Sequence, residues 1–155
     1  MIRLGLVRHA KSDWGHPQLD DHDRPLNARG LRDAPVMAAR LADSGFSPDV
    51  IVASTALRAR TTAQFFGEQF AVQPRLLPEL YGASADELLE VAARQGAASV
   101  LVVAHDPGMS ALAGRLSDEI GHMPTCAVAT FTWDQDDWDV ATALAPDDWT
   151  FDTPR

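Results

Sequence analysis

The chain has little cysteine, little positive charge and no long apolar run, and each shortage excludes a class of protein. Cys126 is the one cysteine among 155 residues, so there is no intrachain disulfide framework and no cysteine-rich zinc site. Lysine and arginine total 13 against 22 aspartates and glutamates, a net charge of −9 with neutral histidines. A surface of that sign is unsuited to the phosphate backbone of nucleic acid or to an anionic membrane face. It leaves room for a small basic pocket inside an acidic shell. No apolar stretch approaches the ~20 residues of a membrane span. The start MIRLGLVRHAK has only a short apolar run and no small-residue cleavage pattern, so it does not read as a signal peptide. These absences lead to the expectation of a cytoplasmic protein with no nucleic-acid or membrane partner.

What is present is an ordinary globular composition. Hydrophobic residues make up 46% and charged residues 23%, which argues against disorder in the body of the chain. The length suits one domain, residues 1–155, that buries roughly 70% of its unfolded surface. Three apolar runs, Ile2–Val7, Val50–Ala53 and Val100–Ala104, lack polar alternation. They read as strands covered on both faces, the mark of a parallel sheet. Helical spacing lies between and after them: Ala59, Ala63, Phe66 and Phe70; Leu88, Val91 and Ala92; and Met109, Leu112, Leu116 and Ile120. Ser84 and Glu87 stand in capping-box spacing. Asn27 is placed to cap a helix over 28–42, in which Pro35 should cause a kink or an early end. Val128–Trp133 and Trp138–Leu144 alternate around a polar Asp134–Asp137 turn and predict a terminal hairpin. Residues 146–155 read as an acidic surface tail. The order of elements gives an α/β domain with helices on a mostly parallel sheet.

In open α/β sheets the ligand lies beyond the C-terminal ends of the strands. The first run is followed by Arg8 and His9, the second by Ser54, Thr55 and Arg58, the third by His105 and Asp106. Two histidines and two arginines from distant parts of the sequence are thus expected at one sheet edge. Their chemistry suits a phosphoryl group. Arginine offers a planar fork of donors that matches phosphate oxygens. A neutral imidazole can attack phosphorus and form a covalent intermediate. Positioning and charge stabilisation are most of what phosphoryl transfer needs, so no metal and no cofactor is expected.

These residues resemble the histidine phosphatase superfamily, the phosphoglycerate-mutase-like fold. Leu6–Ser12 is similar to its opening Arg-His-Gly motif, with Ala10 in place of the common glycine. Ser54–Ala63 resembles its second arginine motif, Val103–Gly108 its second histidine motif, and Arg24–Gly30 the stretch that opens its first helix. The chain has no room for large cap insertions and looks like the small SixA-type branch. The resemblance implies a three-layer α/β/α single domain and a metal-independent phosphatase. It implies His9 as nucleophile, with Arg8, Arg58 and His105 binding the phosphoryl oxygens. Glu79 is the nearest match to the general acid of larger relatives, with Asp106 as an alternative. Lys11 and Ser12 are candidates for a substrate rim. The substrate implied is phosphohistidine on a protein. A small-molecule phosphomonoesterase and a non-catalytic phosphate- or phosphoprotein-binding module stay open as alternatives. The acidic loop Lys11–Arg24, with His16, His22 and four aspartates, reads as solvated rather than as a metal site. Trp133, Trp138 and Trp149 read as packing residues.

Overall fold

The computed structural model describes residues 1–155. Six strands form one sheet: β1 (Ile2–Arg8), β2 (Val50–Ala53), β3 (Arg75–Leu76), β4 (Ser99–Ala104), β5 (Val128–Trp133) and β6 (Asp148–Asp152). Their spatial order is β3-β2-β4-β1-β5-β6. The β3-β2-β4-β1 pairs are parallel, and β5 and β6 add antiparallel strands at one edge. Every residue of β2 and β4 is buried, which explains the apolar runs Val50–Ala53 and Val100–Ala104.

The strand period of two divides those apolar residues between two cores. Val100, Val102 and Ala104 enter one core together with Leu4, Leu6, Val50 and Val52. Leu101 and Val103 enter the other with Val7, Ile51 and Ala53. The first core is closed by α3 (Ala85–Ala93), α4 (Gly108–Ser117) and Ala141 of α5 (Trp138–Thr142). The second is closed by α1 (Ala28–Asp43) and α2 (Leu57–Phe70). The result is the expected α/β/α sandwich.

Local signals act where the sequence places them. Asn27 accepts the Gly30 N–H, and Ser84 and Glu87 form a reciprocal capping box. Pro35 does not shorten α1, which runs unbroken for 16 residues. Leu31 and Pro35 both lie on its exposed side. The carbonyl that the missing N–H leaves free can therefore turn to water.

The terminal hairpin is not formed as expected. Asp137 accepts the Asp139 N–H at 2.8 Å and starts a short helix, so Trp138 and Ala141 reach the core at helical spacing. The partner of β5 is instead β6, drawn from the segment read as a surface tail. Trp149 of β6 packs on the first core, and Arg155 grips the Asp33 carboxylate at 3.0 and 3.1 Å. The tryptophans serve packing: Trp133 donates to the Leu144 carbonyl and Trp138 to that of Ala97.

Candidate active site

The sheet order sets the site. β2, β4 and β1 are neighbours, so their C-terminal ends deliver Ser54, His105 and His9 side by side. The ladder extends one residue further, with His9 N–H donating to Ala104 O and Ser54 N–H to Val103 O, each at 3.0 Å. The His9 and His105 rings are 5.1 Å apart. Arg8 closes β1, and Arg58 comes from the first turn of α2, which begins four residues after β2. His9, Arg58 and His105 are all buried, which is unusual for such polar groups and requires partners.

His9 has its partner on one nitrogen only. Nδ1 lies 2.8 Å from the Ala10 carbonyl. A carbonyl can only accept, so Nδ1 carries the proton and Nε2 holds a free lone pair. Burial, reinforced by the positive charges of Arg58, Arg8 and Arg24, pulls the His9 pKa down to about 4 against the Ala10 hydrogen bond. His105 falls further, to about 3, through burial and the nearby His9 and Arg58. Its Nε2 lies 2.8 Å from Ser54 Oγ, which already accepts the Ala56 N–H. Ser54 is thus free to donate its own proton to Nε2. This leaves the His105 Nδ1–H buried with no protein partner, a donor available for an anionic oxygen.

These shifts carry a stability consequence. Both imidazoles protonate at about 6.5 when the chain is unfolded but only near 4 and 3 when folded. Between those values the unfolded state binds more protons, so stability is full above pH 6.5 and falls as the pH drops toward 4. Urea denaturation at pH 7 and pH 5 should differ by roughly 3–4 kcal/mol for the two groups together. In His9→Asn about half of that difference should vanish. An unchanged pH dependence would show that His9 is not held neutral.

Each arginine is held by its own set of groups. Arg8 Nη1 donates to Met123 O at 2.9 Å and faces Asp106 Oδ2 at 3.5 Å. Asp106 in turn accepts both the Ser110 N–H and hydroxyl at the start of α4. That use makes Asp106 a positioning group for Arg8. Cys126, in the left-handed region at φ 63°, donates its N–H toward the carbonyls of Arg8 and His9. Its thiol is buried and pushed up to about 12, so it is a packing group rather than a nucleophile. Thr62 accepts the Ala10 N–H and donates to Arg58 O, tying β1 to α2. Ala10 is buried and not among the positive-φ residues, so alanine stands there without strain. Gly108 meets a tighter demand: a Cβ there would lie 2.2 Å from the Ala83 carbonyl, at the start of the helix that follows His105.

The sequence did not expose Asp21. It lies in the loop read as solvated, yet its Oδ2 accepts from Arg58 at 2.8 Å and from the Tyr81 hydroxyl at 2.5 Å. Its Oδ1 accepts from Arg24 at 2.7 Å, and its carbonyl takes the other Arg58 nitrogen at 2.6 Å. The Tyr81 hydrogen bond and the two arginines hold this carboxyl far below the usual carboxylate range. Asp21 and Arg24 give no signal in composition; three-dimensional closure of the loop brings them in. Tyr81 places its ring 5.4 Å from His105 and 5.1 Å from His22, whose Nε2 meets Thr55 Oγ1 at 2.8 Å. Ser12 is buried, and its hydroxyl accepts from Arg24. Lys11 is half-buried, and its carbonyl accepts the Asn27 N–H. Glu79 is exposed in a 3-10 turn two residues before Tyr81, whereas Asp21 and Asp106 each stand against one of the site's arginines. No group of three histidine, cysteine or acidic side chains is placed to hold a metal ion. No helix is long and apolar enough to cross a membrane.

A parallel sheet whose strand ends bring two neutral histidines together with two arginines is the architecture of an α/β phosphatase. The model of the histidine phosphatase superfamily (branch 1) matches residues 4–88. The chain belongs to that superfamily, in its SixA-type branch, and is a histidine phosphatase. An uncharacterised chloroplastic protein of Arabidopsis thaliana is 30% identical over 95% of this chain and 74% of its own. A proposed phosphohistidine phosphatase SixA from Nakamurella multipartitia superposes with a TM-score of 0.85 at 30% identity, covering 99% of this chain and 96% of that one. A protein histidine phosphatase SixA complexed with tungstate matches at a TM-score of 0.72 and 25% identity, over 98% and 95%.

Proposed function

We propose that the chain removes phosphoryl groups from histidine side chains of proteins, without a metal, through a phosphorylated His9. The observation that carries this reading is the Nδ1 hydrogen bond of a buried, neutral His9, which leaves Nε2 as a lone pair beside Arg8, Arg58 and His105. Nε2 attacks phosphorus, the P–N bond to the substrate imidazole breaks, and that imidazole leaves with a proton from water. Water then attacks phospho-His9, returning Nε2 and releasing inorganic phosphate. Arg8, Arg58 and the His105 Nδ1–H receive the charge of the transferring group. The relatives described as phosphohistidine phosphatases support the choice of substrate.

The acid step fits the same substrate. Glu79 is exposed, and Asp106 is committed to Arg8 and Ser110. A labile P–N bond needs less protonation of its leaving group than a phosphate ester does. Mixing with a phosphohistidine peptide and quenching in alkali, which preserves N-linked phosphate, should trap one phosphoryl group on the peptide containing His9. Glu79→Gln should trap it equally and turn over within about threefold of wild type, as expected where proton transfer contributes little. A much larger loss would restore Glu79 as the acid, and phosphoryl found elsewhere would remove His9 as the nucleophile.

A further inference from the structure

The two arginines of the pocket are each paired with a carboxylate, but the two carboxylates are placed differently. Asp106 is sequestered, with a side chain 17% exposed and both oxygens held by Ser110. Asp21 is open to solvent, its side chain 48% exposed, beside a Tyr81 that is itself 40% exposed. It contacts Arg58 at 2.8 Å and is fixed in place by Tyr81 and Arg24. A phosphoryl group bound by Arg58 therefore lies, with its leaving group, close to a fixed negative charge. Asp20 and Asp23 on the same turn, both exposed, add charge of the same sign.

We propose that Asp21 is a specificity-determining residue that selects the carrier of the phosphoryl group by charge. It admits carriers that are neutral or cationic next to the phosphoryl group, such as an imidazole. It rejects phosphorylated small molecules that hold a carboxylate close by. This inference rests on the reading of Arg58 as a phosphoryl ligand and adds to it what excludes the wrong substrate. Coulomb repulsion between two carboxylates several ångströms apart near a protein surface is large enough to discriminate.

The test separates charge from mere support of Arg58. Phenyl phosphate and 3-carboxyphenyl phosphate differ by one carboxylate. Their dissociation constants are measured by calorimetry on His9→Ala, where turnover cannot intervene, and on His9→Ala with Asp21→Asn. Asparagine can still accept from Arg58 or Tyr81, so the substitution removes the charge first. The expected result is that His9→Ala prefers the neutral ester and that Asp21→Asn narrows this preference about 5- to 10-fold, the size of one such charge interaction. Tyr81→Phe, which frees Asp21 without discharging it, should leave most of the preference in place. A preference unchanged by Asp21→Asn, with both esters weakened alike, would reduce Asp21 to a support for Arg58 and overturn the proposal. If neither ester binds even at high concentration, the phosphate pocket itself is wrong, a distinct failure that removes the proposal with it.

Discussion

Replacing His9 by alanine is expected to lower phosphate release by about 10⁴-fold or more, the scale on which removal of a nucleophile acts. No nearby group can take over. His105 is the other imidazole of the pocket, but its Nε2 is engaged by Ser54 and its orphaned Nδ1 is left as a donor. Cys126 is buried as a thiol, and its backbone already supports Arg8 and His9. The variant should still fold, because the ring makes one hydrogen bond, to its own neighbour's carbonyl. It should also still bind phosphate, since both arginines remain. Steady-state phosphate release alongside calorimetric titration with inorganic phosphate checks both halves. Substantial turnover in His9→Ala would mean that another group attacks phosphorus.

The second large effect is expected at Arg58. Arg58→Ala should cost roughly 10²–10³ in turnover, the loss typical for one preorganised donor to developing negative charge. Lysine should rescue little of it. The guanidinium spans two acceptors at once, Asp21 Oδ2 and the Asp21 carbonyl, and still has N–H groups left for phosphate. An ammonium is a point charge and cannot hold that geometry. The loss should appear in the turnover rate as well as in KM, because the donors matter most when charge develops on the transferring oxygens. A change confined to KM would make Arg58 a binding residue alone.

Much of this site was legible because its chemistry sits immediately after three strands that the sequence marks clearly. Arg8-His9, Ser54 through Arg58, and His105-Asp106 each follow a mainly apolar run, broken in the first only by Arg3, and parallel topology does the rest. Asp21 and Tyr81 were not legible, because a loop carries no period. Asp21 lies 37 positions from Arg58 and 60 from Tyr81, so only closure of the loop over α2 unites them. The contact of the Ser12 hydroxyl with Arg24, beside the Ser12–Leu26 bridge, was equally hidden in the sequence. The end of the chain misled for a different reason. Trp138, Val140 and Leu144 alternate as a strand would, while Trp138 and Ala141 stand at helical spacing, and Asp137 decides for the helix by capping it. Strand β6 is short and acidic at both ends, a composition that suits an edge strand and a loose tail equally.

Whether His9 carries phosphate from a histidine substrate without help from a metal is decided by phosphate release in EDTA from a phosphohistidine peptide and a phosphoserine peptide of the same sequence, wild type against His9→Ala. Release is expected from the phosphohistidine peptide, undiminished by EDTA and lost with His9, with much slower release from the phosphoserine peptide. Release that EDTA abolishes, that survives loss of His9, or that favours the phosphoserine peptide would contradict this mechanism.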